Sequence, residues 1–136
     1  MTPITIQTTI KAPLEKVWDY YTKPEHITKW NHASDDWHCP HAENDLRVGG
    51  KFLSRMEAKD GSFGFDFGGT YGQVEMHKLI EYVMGDGRHV KVNFEPINEE
   101  VKMVIVFDAE TQNSEEMQRQ GWQAILENLK KYTETN

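Results

Sequence analysis

The chain has 136 residues, with 15 Lys and Arg against 22 Asp and Glu and a formal net charge of −7. A chain of this length fits one domain over residues 1–136, and its acidic balance argues against nucleic acid, whose phosphates are bound by neutralising Lys and Arg. The longest apolar run, residues 103–107, falls far short of the roughly 20 residues that cross a bilayer as a helix.

The opening residues alternate apolar and polar, with neither a basic n-region nor an apolar h-region. The single cysteine, Cys39, has no internal disulfide partner. Both features point to the cytoplasm. Six Phe, five Tyr and four Trp offer large buried areas per side chain, enough for a core or an aromatic-lined cavity.

Ile4, Ile6, Thr8 and Ile10 alternate with Thr5, Gln7 and Thr9, the period of a strand with one buried face. Pro13 suits the first turn of a helix, and Leu14, Val17, Trp18 and Tyr21 follow at helical spacing. Thr22-Lys-Pro-Glu25 has the form of a capping box for a second short helix carrying Ile27 and Trp30 and ending near Asn31.

From about Asp36 to Glu110 the period falls to two. Val48, Phe52, Leu53 and Met56 precede Asp60-Gly61, and Phe63 to Met76 follow it, which predicts a hairpin. Asp86-Gly87 predicts a second turn between Leu79–Met84 and the strand of Val90, Val92 and Phe94. Pro96-Ile-Asn-Glu99 predicts another, before Val101, Met103, Ile105 and Phe107. Val104 and Val106 make this last strand apolar on both faces, so one face is expected against a helix and the other against a further layer or a partner. Gly49-Gly50 and Gly68-Gly69 fall inside strand patterns, where glycine marks a bulge or bend.

Asn113 and Glu116 resemble a capping pair for a helix of about 20 residues, with Met117, Trp122, Ile125, Leu126, Leu129 and Tyr132 along one side. Such a helix must lay its apolar side on the sheet. The expected architecture is α+β, a curved, seven-stranded antiparallel sheet around a long C-terminal helix, with two short helices after the first strand.

This order of elements resembles the helix-grip fold of the START-like (SRPBCC) superfamily, also seen in birch-pollen-allergen-like proteins. More closely, it resembles the family named after the ATPase activator of the ninety-kilodalton heat-shock chaperone. The match is carried by Ile10-Lys-Ala-Pro13 with Val17-Trp18, Thr22-Lys-Pro-Glu25-His26 with Trp30, and Asp45-Leu-Arg-Val-Gly-Gly50. It continues through Met56, Asp60-Gly61, Gly69-Thr-Tyr71, Asp86-Gly-Arg88 and Gly121-Trp122 with Leu126 and Leu129. The resemblance implies a pocket between the long helix and the concave face of the sheet. Candidates for its lining are Trp30, Trp37, Phe52, Met56, Phe67, Tyr71, Phe94, Met103 and Trp122. Gly121 is expected to let the helix approach the sheet closely, with the Trp122 indole either core or cavity wall.

The densest polar stretch, His32-Ala-Ser-Asp-Asp-Trp-His-Cys-Pro-His41, suggests a metal, but Cys39 and His41 have no second ligand pair of similar spacing elsewhere. No metal or cofactor is expected. His38, His41, Asp66, Glu75 and Arg47 are candidate acid–base groups only if they point into the cavity. Arg47 and Arg88 follow Asp45 and Asp86 closely enough to brace turns instead. No phosphate-binding or nucleophile-elbow motif is present in the sequence.

Three functions are compatible with these residues. The first is a module that binds an apolar small molecule, lipid-like or polycyclic aromatic. The second is a chaperone-interacting protein like the family's namesake, and the third is a cyclase, dehydratase or hydrolase working in the same pocket. Oligomeric state is left open.

Overall fold

Alternation along the first segment does what its period requires. In the computed structural model, which describes residues 2–136, strand β1 (Pro3–Ile10) buries Ile4, Ile6 and Ile10 and exposes Thr5, Gln7 and Thr9. Pro13 caps helix α1 (Leu14–Thr22), one position before the first turn. The anticipated capping box does not form. Thr22 still belongs to α1, where its hydroxyl donates to the Trp18 carbonyl at 2.7 Å, and helix α2 (Pro24–Trp30) starts from Lys23 with Pro24 in its first turn.

Strands β2 (Trp37–Asn44), β3 (Lys51–Ala58), β4 (Gly64–Glu75), β5 (Leu79–Met84), β6 (His89–Ile97) and β7 (Glu100–Asp108) complete one curled sheet. Its order is β1-β7-β6-β5-β4-β3-β2, antiparallel throughout. Gly87, at φ +91°, makes the β5–β6 turn, a conformation that glycine adopts without steric cost.

Three local expectations are corrected. Gly49-Gly50 and Val48 lie in the turn before β3, not in a strand; Val48 is 62% exposed, and the Gly50 N–H donates to the Arg47 carbonyl at 2.8 Å. The β6–β7 turn is confined to Asn98-Glu99, with Pro96 still in β6 opposite Val101. Proline is tolerated because the Phe94 N–H points toward the β5 side, to the Lys78 carbonyl. Two residues on, the missing N–H points the same way, beyond the last paired residue of β5. On β7, Val104 and Val106 stay partly exposed, while Val101, Met103, Ile105 and Phe107 are buried. Among the described residues no further layer covers the outer face.

Helix α3 (Glu115–Thr135) is capped by Ser114, whose hydroxyl accepts from the Met117 N–H at 3.1 Å, rather than by Asn113. Met117 is consequently in the first turn and 61% exposed, and the apolar side begins at Trp122. The helix also closes an edge. Arg119, Gln123 and Lys130 donate to the carbonyls of Thr5, Gln7 and Thr9, the outward acceptors of edge strand β1. Pairing these groups removes the template that an open edge presents. Gly121 does not mediate close approach: a Cβ built there meets nothing within 4 Å.

A cavity between the C-terminal helix and the sheet

The concave face is paved with aromatic rings because register brings them together. Tyr71 of β4 lies opposite Tyr82 of β5, and Phe52 of β3 lies opposite Gly69 of β4. A side chain at Gly69 would bring its Cβ to 3.1 Å from the Phe52 ring and 3.3 Å from the Tyr82 ring. Glycine there lets these rings meet edge to face over the strand, with centroids 4.7 Å apart.

Helix α3 roofs this face but does not fill the space beneath it. Trp122 stacks on Phe107 with centroids 4.0 Å apart and meets Phe67 edge-on at 6.0 Å. Between roof and sheet lies a cavity of about 280 Å³. Phe52, Met56, Phe67, Ile80 and Ile105 contribute from the sheet, Trp122, Ile125, Leu126 and Leu129 from α3, and Tyr21, Ile27 and Trp30 from the short helices. Trp30 is held by its indole N–H, which donates to the Tyr20 carbonyl at 2.8 Å, and by stacking on Tyr21 at 5.5 Å.

A small polar group interrupts the apolar wall. The Tyr71 hydroxyl donates to Asn44 Oδ1 at 2.5 Å, and Asn44 Nδ2 donates to the Thr22 carbonyl at 2.6 Å, tying β4 and β2 to the end of α1. Tyr21, Tyr82 and Arg88 complete this side. Burial holds all three phenols well above their ordinary range; at Tyr71 and Tyr82, repulsion from neighbouring phenolates adds to it. They are therefore neutral O–H groups at any physiological pH.

Of the nine candidate lining residues, six come together on the cavity wall: Trp30, Phe52, Met56, Phe67, Tyr71 and Trp122. The other three lie elsewhere. Trp37 opens β2 opposite Ala58 and packs against Phe63 and Phe65 at 6.0 Å each, without itself reaching the cavity wall. Phe94 is buried against Trp18 and Tyr21, at 5.0 and 5.7 Å. Met103, paired with Phe94 across β6 and β7, is fully buried. Helix α1 packs over this end of the sheet, so an inward side chain there meets closed core.

Sequence reasoning missed Tyr21, Asn44, Phe65 and Tyr82 as wall residues and read Arg88 only as a turn brace. Arg88 does brace its turn, its Nε donating to Asp86 Oδ2 at 2.8 Å, as Arg47 does to Asp45 at 2.9 Å. The signal for Tyr21 and Tyr82 was their type: a tyrosine in an inward register carries a polar tip that needs somewhere to go.

The acid–base candidates point away from the cavity. His38 faces Glu57 at 3.8 Å, His41 pairs with Glu43 at 2.9 Å, Asp66 with Arg55 at 3.4 Å, and Glu75 accepts from Gln73 at 2.6 Å. Cys39 is buried, which pushes its thiol upward, and its S–H donates to the His41 carbonyl. Among the described residues no three His, Cys, Asp or Glu side chains gather as metal ligands, and no helix is long and apolar enough to cross a membrane.

Comparison with known proteins matches this geometry to a family. A solution structure of an AHSA1-like protein from Aeromonas hydrophila is 43% identical, with a TM-score of 0.93 over 98% of this chain and 93% of that one. A protein from Cytophaga hutchinsonii is 51% identical, at 0.84 over 98% and 92%. One from Chromobacterium violaceum, 23% identical, shares the fold at 0.88 over the full length of both chains. No curated protein matches the chain. The family model described as "Activator of Hsp90 ATPase homolog 1-like protein" matches residues 11–134, and the chain therefore belongs to that family, within the START-like superfamily and its helix-grip fold.

Proposed function

We propose that this protein is a small-molecule binding module that holds an apolar, flat ligand between α3 and the sheet. The observation that carries this reading is the cavity itself, about 280 Å³, walled by aromatic and aliphatic side chains with few polar groups. Such sites gain affinity from buried apolar surface and orientation from a few polar atoms. The volume lies near the lower end of the ~300–1,000 Å³ usual for ligand pockets, which favours a compact ring system over a long-chain lipid.

A thermal-shift titration with naphthalene derivatives tests this. Binding to the native state alone raises stability with the logarithm of ligand concentration, so the melting temperature should climb steadily above the dissociation constant. A melting temperature independent of every such compound contradicts the reading. The family match supports a second reading, contact with an Hsp90-type chaperone. Stimulation of that chaperone's ATP hydrolysis by this protein is its expected result, and an unchanged rate removes it.

A further inference from the structure

Tyr82 is 5% exposed, yet among the described residues its hydroxyl makes no hydrogen bond, and neither does that of Tyr21. The side-chain polar atoms sealed from all open space without a partner are His32 Nδ1 and Thr133 Oγ1. The two phenol oxygens are thus not sealed, and the open space beside them is the cavity whose wall both residues form. Tyr71 differs, because its proton is already given to Asn44.

The cation of the cavity wall is already compensated: Arg88 is engaged by Asp86 at 2.8 Å, while Glu43, also in the wall, would repel an anion. A buried carboxylate would find no unpaired cation here, and burying an ion without a full partner is costly. A neutral acceptor suffers no such cost.

We infer that the cavity selects ligands bearing a neutral hydrogen-bond acceptor, a carbonyl on a compact apolar ring system, which receives the O–H groups of Tyr82 and Tyr21. This rests on the binding reading above and names the chemical class of its ligand. The upward displacement of both phenols keeps them donors throughout the physiological range.

The test uses three probes substituted at the same ring position: acetylnaphthalene, its hydrocarbon isostere ethylnaphthalene, and naphthoate. Dissociation constants are measured by calorimetry at neutral pH for the unaltered protein, Tyr82→Phe and Tyr21→Phe. The ketone should bind more tightly than the hydrocarbon by about three- to tenfold per hydrogen bond gained, and naphthoate most weakly. Tyr82→Phe and Tyr21→Phe should each remove about three- to tenfold of the ketone's advantage while leaving the hydrocarbon's affinity within about twofold, since the Tyr82 ring that packs on Phe52 remains. Equal affinity for ketone and hydrocarbon, tightest binding of naphthoate, or a uniform loss for all three probes in both variants overturns the inference while the binding reading stands. Failure of all three probes to bind overturns the binding reading and this inference with it.

Discussion

Trp122→Ala separates a cavity wall from a closed core. Removing a large aromatic side chain packed on all sides costs about 3–5 kcal/mol, through lost transfer energy and the void left behind. Trp122 is stacked on one face only: it lies on Phe107 at 4.0 Å, meets Phe67 edge-on at 6.0 Å and otherwise borders the cavity. About half of those contacts exist to be lost, so the expected cost is about 2 kcal/mol. Phe107, fully buried beneath it, is the internal control, and Phe107→Ala should cost the full ~3–5 kcal/mol. Urea unfolding followed by far-ultraviolet circular dichroism reads both. With slopes of about 1–3 kcal/mol per molar for small proteins, Trp122→Ala should lower the midpoint by about 1 M. A loss equal to that of Phe107→Ala would show the indole packed on both faces, with no cavity against it.

Three further outcomes follow from the same contacts. Gly121→Ala should stabilise by about 0.5–1 kcal/mol, because its Cβ meets nothing and alanine suits a helix interior; a lowered urea midpoint would place that residue against the sheet after all. Gly69→Ala should destabilise by about 1–3 kcal/mol, since the new Cβ would lie 2.7 Å from the Val83 carbonyl and crowd the rings of Phe52 and Tyr82; an unaltered midpoint in the same assay refutes the packing described.

Alkaline stability carries the third. Tyr21, Tyr71 and Tyr82 are raised above the ordinary phenol value of 10.0, so above that pH the unfolded chain has released protons that the native state still holds. Unfolding then becomes easier as pH rises, by up to about 1.4 kcal/mol per pH unit for each phenol, whereas below it their contribution is complete. Urea midpoints between about pH 8 and 11 should be level and then fall, with a shallower fall in Tyr82→Phe; equal slopes would mean that Tyr82 is not desolvated.

Much of the fold was legible because it rests on local periodicity. The alternation of Ile4, Ile6 and Ile10 and that of Val101, Met103, Ile105 and Phe107 each name a buried face directly. The Asp86-Gly87 turn was legible for the same reason, as a conformation few other residues adopt. Helix starts were harder: Thr22 could cap α2 or end α1, and its bond to Trp18 decides for the latter.

The site was half legible. Periodicity says that Phe94 and Met103 point inward, but whether inward means cavity or closed core depends on which helix lies above them. That is set by tertiary packing of α1 and α3 on the sheet, over chain separations no local pattern encodes. Gly121 misled for a related reason: a glycine in an amphipathic helix suggests close packing, yet a Cβ there meets nothing within 4 Å.

The most direct measurement is two-dimensional NMR of isotopically labelled protein titrated with acetylnaphthalene, following backbone amides, Trp indoles and Tyr rings. Binding between helix and sheet predicts saturable shifts centred on Tyr21, Trp30, Tyr71, Tyr82 and the Trp122 indole, with Val48 and Val104 on the outside unmoved. Shifts confined to outward-facing residues such as Val48 and Val104, or none at saturating probe, would contradict it.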